Sequence, residues 1–302
     1  MNDIIISFIT VNYNGLGDTI ELITSIKNTI KSISYEIIVV DNGSRKDELT
    51  PLKDLFDDVH FIKSEKNLGF AGGNNLGVDI ARGKYFFFIN NDTYILEDTI
   101  KYLINRLESS DKIGGLSPKI LFHEPFNTIQ FAGFTPFSKY TIRNSIIGYS
   151  KPDNEEYNKA ERTPYIHGAA MIIKKEVIEK VGKMPEIYFL YYEEMDWCEM
   201  IKRAGFELWY EPKFIVYHKE SRSTGKDSSR KIYYHTRNRL LFTWRNIEYK
   251  RRNISILYQL FIANPVHILK YFFRGKFKFS KAIINGALDF ITIKNKTLQQ
   301  WL

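Results

Sequence analysis

Lys84-Tyr85-Phe86-Phe87-Phe88-Ile89-Asn90-Asn91-Asp92-Thr93 decides how the rest of the chain is read. Tyr85 to Ile89 are five consecutive apolar or aromatic residues with no polar alternation, the pattern of a strand buried on both faces at the centre of a sheet. The run stops in Asn90, Asn91 and Asp92. In an open α/β sheet ligands bind beyond the carboxyl ends of the strands, so Asp92 is expected where a ligand sits. A carboxylate beside two amide oxygens suits a hard divalent cation that also holds phosphates. The plainer reading is a polar turn, with Asp92 capping the next helix.

Upstream, Ile4 to Thr10 reads as a first strand running into Asn12-Tyr13-Asn14-Gly15. Asp18 and Glu21 have capping-box spacing, and Ile20, Ile23, Ile26 and Ile30 follow at helical period. Glu36 to Val40 is a second strand, closed by Asp41-Asn42-Gly43-Ser44, and Val59 to Lys63 a third. Asn67 to Gly77, NLGFAGGNNLG, reads as a glycine-rich loop entering a short helix that ends near Arg82-Gly83. It lacks the lysine and the spacing of a Walker loop or a dinucleotide fingerprint, but its backbone allows close approach of a ligand, and Asn74 and Asn75 suit a base or ribose. Strand–helix alternation predicts βαβ units and a mostly parallel sheet flanked by helices, with Asn12, Asp41 and Asp92 along one edge.

Downstream, Ile100, Leu103, Ile104 and Leu107 mark a helix face, and Lys119 to Phe122 and Thr128 to Phe134 are short strands. A strand is expected from Tyr165 to Ile173 through His167-Gly168-Ala169-Ala170, and a short helix over Glu176 to Val181. IYFLYYEEMDWC, Ile187 to Cys198, turns helical and places Glu193, Glu194 and Asp196 together beside aromatic residues. Aromatic surroundings raise a carboxyl pKa towards the range of a general base, although acids at a helix N-terminus also simply favour the dipole. Phe206 to Tyr210 and Phe214 to Tyr217 are two strands, the second ending at His218, a metal ligand or a structural hydrogen bonder.

The 302 residues suffice for one α/β domain and an appendage, expected as 1–220 and a basic helical region 221–302. Residues 219–302 hold 18 lysines and arginines against 4 acids, whereas residues 1–218 hold 25 against 31. Such asymmetry suggests an acidic body and a tail that meets an anionic surface. The apolar run Ile254 to Phe273 is interrupted by Gln259, Asn264, Pro265, His267 and Lys270, too polar for a spanning helix and suited to a membrane surface. The single cysteine, Cys198, fits a reducing compartment, no secretory leader is expected before Ile4, and a cytoplasmic protein at the inner face of the membrane follows.

The ordered set SFITVNYNG, IIVVDNGS, NLGFAGGNNLG, FFFINNDT, HGAAMII, YYEEMDWC and VYHKESRS resembles the family 2 glycosyltransferases with the GT-A fold, in their bacterial rhamnosyltransferase-like branch, over roughly residues 4–245. The resemblance implies that Thr10, Asn12 and Asp41 hold the base and ribose of a dTDP- or UDP-sugar, and that Gly69, Ala71, Gly73 and Asn74 close over the nucleotide. It matches Asn90 and Asp92 to the two ends of an Asp-x-Asp motif for Mg²⁺ or Mn²⁺, with Asn90 replacing the first acid, and His218 to a position that holds the metal–diphosphate. Glu194 matches the general base, with Asp196 as the neighbouring candidate. The implied activity is inverting transfer of rhamnose or another hexose to a glycan or lipid-linked acceptor in cell-surface polysaccharide synthesis, such as that of an O-antigen, at an anionic membrane.

Three other readings compete. A nucleotidyltransferase would need a basic residue in the first glycine loop, and residues 12–18 have none. Nucleic-acid binding is not expected, because the aromatic residues cluster with carboxylates. A catalytically inactive nucleotide-sugar-binding scaffold is the alternative that Asn90 raises.

Overall fold

The computed structural model describes residues 4–219 and 228–299. They divide into two compact units. One comprises Met1–Pro136, Ser145–Phe189 and Glu193–Ser223; the other Phe137–Asn144, Leu190–Tyr192 and Thr224–Leu302.

The first unit is a mixed α/β structure around a ten-stranded sheet. Its first half alternates as expected: β1 (Ile6–Asn12), α1 (Leu16–Thr29), β2 (Tyr35–Asp41), α2 (Leu49–Leu55), β3 (His60–Lys63), α3 (Gly69–Ile80) and β4 (Tyr85–Ile89). β5 (Thr93–Tyr94), α4 (Lys101–Glu108), β6 (Ile113–Phe122), β7 (Ile129–Phe131), β8 (Glu161–Arg162), β9 (Ala170–Lys174), α5 (Lys175–Val181), α6 (Glu193–Arg203) and β10 (Glu207–His218) complete it. The sheet runs β3-β2-β1-β4-β9-β6-β10-β5. β3, β2, β1 and β4 are parallel neighbours, and β10 is parallel to β6. β9 enters antiparallel between β4 and β6, so the sheet is parallel on one side and mixed on the other.

β4 is central, as its composition predicts: all five residues are buried between β1 and β9. Phe87 packs on Phe8 and Phe214, with ring centroids 5.3 and 5.9 Å apart, and Phe88 meets Trp197 edge-on, tying α6 to the sheet.

Several local readings are corrected. Asp18 and Glu21 form no capping box, since Gly15 is the N-cap of α1 and no side chain caps it. Both acids instead hold the ammonium of Lys219. The glycine-rich stretch is the helix α3, not a loop before one. A side chain at Gly73 would meet Val11 at 2.9 Å and one at Gly77 would meet Ile9 at 2.4 Å, so these glycines let α3 lie close on β1. The strand expected from Tyr165 begins only at Ala170, and the two strands expected after Phe206 are one, β10, with a register shift between Glu211 and Ile215.

The second unit contains α7 (Ser229–Asn246), α8 (Tyr249–Tyr258), a π-helical turn over Gln259–Ala263, α9 (Asn264–Phe273) and α10 (Phe277–Gln299). α10 packs on α7 at Gly286, where a side chain would lie 2.7 Å from the Tyr233 carbonyl oxygen, and Tyr233 donates to Asp289 at 2.6 Å. This unit also takes in 137–144 and 190–192, which the boundary expected at 220 did not include.

Candidate active site

Asn12 and Asp41 are register partners at the carboxyl ends of β1 and β2. Asn12 Nδ2 donates to Glu48 Oε2 at 2.8 Å and to Asp41 Oδ1 at 3.3 Å, and its Oδ1 accepts from the Thr19 hydroxyl at 2.9 Å. The Thr19 hydroxyl in turn accepts from Asn91 Nδ2 at 3.0 Å. A relay of side chains thus locks together the loops after β2, β1 and β4. Asn12 is fully buried and Asp41 nearly so. Thr10 lies buried inside β1, and its hydroxyl finds no partner among the described residues.

Asn42 organises the next loop. Its Nδ2 donates to the Gly69 carbonyl at 2.9 Å, and its Oδ1 accepts from the Leu68 amide at 2.9 Å. Gly69 has φ +75°, and a side chain there would lie 2.0 Å from the Phe189 carbonyl oxygen. Only glycine fits, and the Phe70 amide donates to that same carbonyl at 2.8 Å. Ala71, Gly73 and Asn74 are buried in α3. Asn75 is not available to a base or ribose: its amide donates to Met184 and Glu186 at 2.9 and 2.8 Å and accepts from the Met184 amide. Asn74 Nδ2 is likewise used on the Phe70 carbonyl.

The end of β4 brings distant residues together. Asn90 donates its amide to the Ala169 carbonyl at 2.9 Å, and β5 pairs Thr93 with His218 of β10. Asp92 therefore faces His218, Oδ1 to Nε2 at 3.0 Å, rather than capping a helix. Burial would raise the Asp92 pKa, but the hydrogen bond to His218 and the electrostatic pull of that ring and of Lys219 outweigh it and hold it below the usual carboxylate range. Gln130, absent from the sequence reading, sits 2.7 Å from His218 Nδ1 and orients the ring. With Nδ1 donating to Gln130, Nε2 and Asp92 face each other as acceptors unless a proton or a cation lies between them. A carboxylate, an imidazole and an amide oxygen such as that of Asn90 are donors that Mg²⁺ or Mn²⁺ accepts. Among the described residues no group of three or more His, Cys, Asp or Glu could hold a metal, so substrate oxygens or water would complete the shell.

Glu193, Glu194 and Asp196 all lie in the first turn of α6. Glu193 and Asp196 are buried, whereas Glu194 is partly open. A methyl group at Gly168 would lie 3.7 Å from Glu194 Cγ and 3.5 Å from the Phe70 ring. Gly168 precedes Ala169, whose carbonyl takes the Asn90 amide, so Glu194 stands beside the end of β4. Phe189, Tyr191 and Tyr192, just before α6, all have positive φ, a concentration of unfavourable backbone typical of sites where position matters more than stability. His167, in the turn leading to β9, is neutral: burial, then the nearby His218, lowers its pKa to about 3. Burial pushes the Cys198 thiol up to about 12, which removes it as a nucleophile. The second half of VYHKESRS, including Ser221 and Arg222, lies outside the described residues.

The model of Glycosyl transferase family 2 matches residues 7–182. The chain is 28% identical over 301 residues to the low-salt glycan biosynthesis hexosyltransferase Agl10 of Haloferax volcanii, covering 97% of this chain and 92% of that one. It is 21% identical over 227 residues to N-acetylglucosaminyl-diphospho-decaprenol L-rhamnosyltransferase of Mycobacterium tuberculosis, covering 68% and 73%. Mannosyltransferase PcManGT of Pyrobaculum calidifontis, solved with GDP-Man and Mn²⁺, superposes with a TM-score of 0.58 at 12% identity, over 95% of this chain and 86% of that one. The structural neighbours share the GT-A fold.

Proposed function

Since the chain belongs to glycosyl transferase family 2, we propose that it moves a hexose, rhamnose among the candidates, from a dTDP- or UDP-sugar to a lipid-linked glycan acceptor with inversion at the anomeric carbon. The observation that carries this reading is the meeting of Asp92 with His218, 126 positions apart in the chain, at the same strand end that Glu194 borders. In PcManGT a nucleotide-sugar and Mn²⁺ are bound together, and the mycobacterial relative's name describes a diphospho-lipid acceptor; both support the donor and acceptor classes.

Glu194 is the base. It is the least buried carboxylate of its cluster, and it takes the proton as the acceptor oxygen bonds to the anomeric carbon and the bond to the nucleoside diphosphate breaks. One displacement needs no covalent intermediate, which agrees with the inert Cys198. Asp92, His218 and Asn90 would hold Mg²⁺ or Mn²⁺, which when bound neutralises charge on the departing diphosphate. The buried relay Asp41–Asn12–Thr19–Asn91 and the Asn42 clamp shape the nucleotide side, so Thr10, Asn12, Asp41, Gly69, Ala71, Gly73 and Asn74 act by fixing loop backbone around the base, ribose and diphosphate. We place the protein at the inner membrane face.

A thermal-shift panel of nucleotide-sugars with and without Mn²⁺ tests this. The expected result is stabilisation by one donor that needs the metal and is lost in Asp92→Ala. Stabilisation independent of metal would remove the metal from the site, and none with any donor would favour the inactive scaffold.

A further inference from the structure

The second unit encloses a cavity of about 500 Å³ with an unusual wall. Arg143, Lys231 and Arg239 line it together with His235 and His267, and no aspartate or glutamate does. Three of its wall residues also keep a buried donor without an acceptor among the described residues: Asn144 Nδ2, Asn264 Nδ2 and Arg239 Nε. With three basic side chains and no carboxylate on its lining, the cavity suits an anion, and these enclosed amide and guanidinium donors add to its positive character. One Arg239 Nη2 is already given to the Thr141 carbonyl, which fixes the guanidinium beside the opening. Ser228 caps α7 by accepting from the Lys231 amide, so the positive end of that helix also borders the space. No carboxylate on the lining offsets these charges: enclosure lowers Arg239, partly offset by Tyr192, with Arg143 lowering it further, and enclosure, Arg143, Lys270 and Arg239 lower His267.

We propose that this cavity is a binding site for a phosphate or diphosphate group, and that the group is the head of the lipid-linked acceptor. Size and chemistry agree, since a diphosphate is small against 500 Å³ and takes bidentate donors from arginine and point charge from lysine. The space left over suits the first sugar or the first isoprenoid unit. The assignment to the acceptor rests on the transferase reading above; the anion chemistry does not. Tyr192 of the wall directly precedes Glu193 and Glu194 in the chain.

The test is calorimetric titration of inorganic pyrophosphate into the full chain with its donor site saturated by UDP. Binding that weakens about tenfold or more in Arg143→Gln/Lys231→Gln is expected, a loss of about 1.4 kcal/mol. The donor-induced thermal shift should stay unchanged in that variant, whose side chains lie off the core. Arg239→Lys, which keeps charge but loses the fork, should weaken binding less. Equal pyrophosphate binding by wild type and variant, or none by either, would overturn the site. Phosphatidylcholine vesicles carrying polyprenyl diphosphate should then capture wild type and not the variant, whereas binding of free pyrophosphate alone would overturn the lipid assignment. A pyrophosphate response without any donor response would reject the transferase reading and leave the anion site standing.

Discussion

At the scale of single residues, the three carboxylates of α6 look interchangeable in sequence but are not in the fold. Glu193 and Asp196 are buried and Glu194 is partly open beside Gly168. Glu194→Gln should therefore lower kcat by about 10²–10⁴-fold and leave the donor thermal shift intact. Glu193→Gln and Asp196→Asn should show themselves first as a lower melting temperature. Equal loss of donor binding in Glu194→Gln would end the base assignment. The contrast could not be drawn from the sequence, because burial depends on what packs over the helix. The same holds for Asn12 and Asn75. Both are polar residues at places where ligands are expected, yet their amides are used up by Glu48, Thr19, Met184 and Glu186. Glu48, Asn42, Gln130 and Lys219 organise the site through contacts between residues distant in the chain. Nothing in their local spacing announces it.

At the scale of elements, uniform apolar runs were the most legible signal, and β1, β2 and β4 fall where those runs lie. Glycine was the least legible. A run of glycines reads as a loop by propensity, but α3 is helical because Gly73 and Gly77 allow it to touch Val11 and Ile9. Gly77→Ala should cost about 1–3 kcal/mol by forcing α3 from β1, checked by urea unfolding, and Gly17→Ala, where space is open, should not. The β2 strand carries a different test. Glu36 accepts from the Ser7 hydroxyl at 2.6 Å and from the Arg82 backbone and guanidinium. Burial raises its pKa, yet these bonds together hold it below the ordinary value. A carboxylate with a lowered folded-state pKa contributes stability that is fully present above its ordinary pKa of about 4.5 and is lost as pH falls below that. Glu36→Gln should thus lower stability by about 1–3 kcal/mol at pH 7 and flatten the melting temperature between pH 6 and pH 3.5. A mutant that keeps the wild-type acid sensitivity would contradict the role of this cluster.

At the scale of the whole molecule, the charge asymmetry visible in composition acquires a surface. Among the described residues no helix is long and apolar enough to cross a membrane. No residue of α9 is buried, and large apolar side chains stand in water along the second unit: Phe261 is 71% exposed, Phe273 81% and Phe277 58%, with Ile254, Leu257, Val266 and Leu269 each more than half exposed. Leaving so much apolar surface in water is unfavourable unless something covers it. Exposed Arg251, Lys270, Arg274, Lys276, Lys278 and Lys281 lie in the same stretch of chain. Exposed apolar side chains interspersed with exposed cations along this stretch fit the interface of an anionic bilayer, where each cation near the surface adds about 1 kcal/mol and aromatic rings enter the headgroup boundary. The protein should co-sediment with vesicles rich in phosphatidylglycerol and release them as salt rises. Phe261→Ser/Phe273→Ser should weaken binding at every salt concentration. Lys276→Gln/Lys278→Gln should weaken it chiefly at low salt. Salt-insensitive binding, or self-association in place of vesicle binding, would assign the stretch to a protein partner or to a second copy of the chain. If the acceptor is lipid-linked, as proposed above, vesicle binding should lower the KM for a lipid-linked acceptor and leave that for a water-soluble acceptor unchanged.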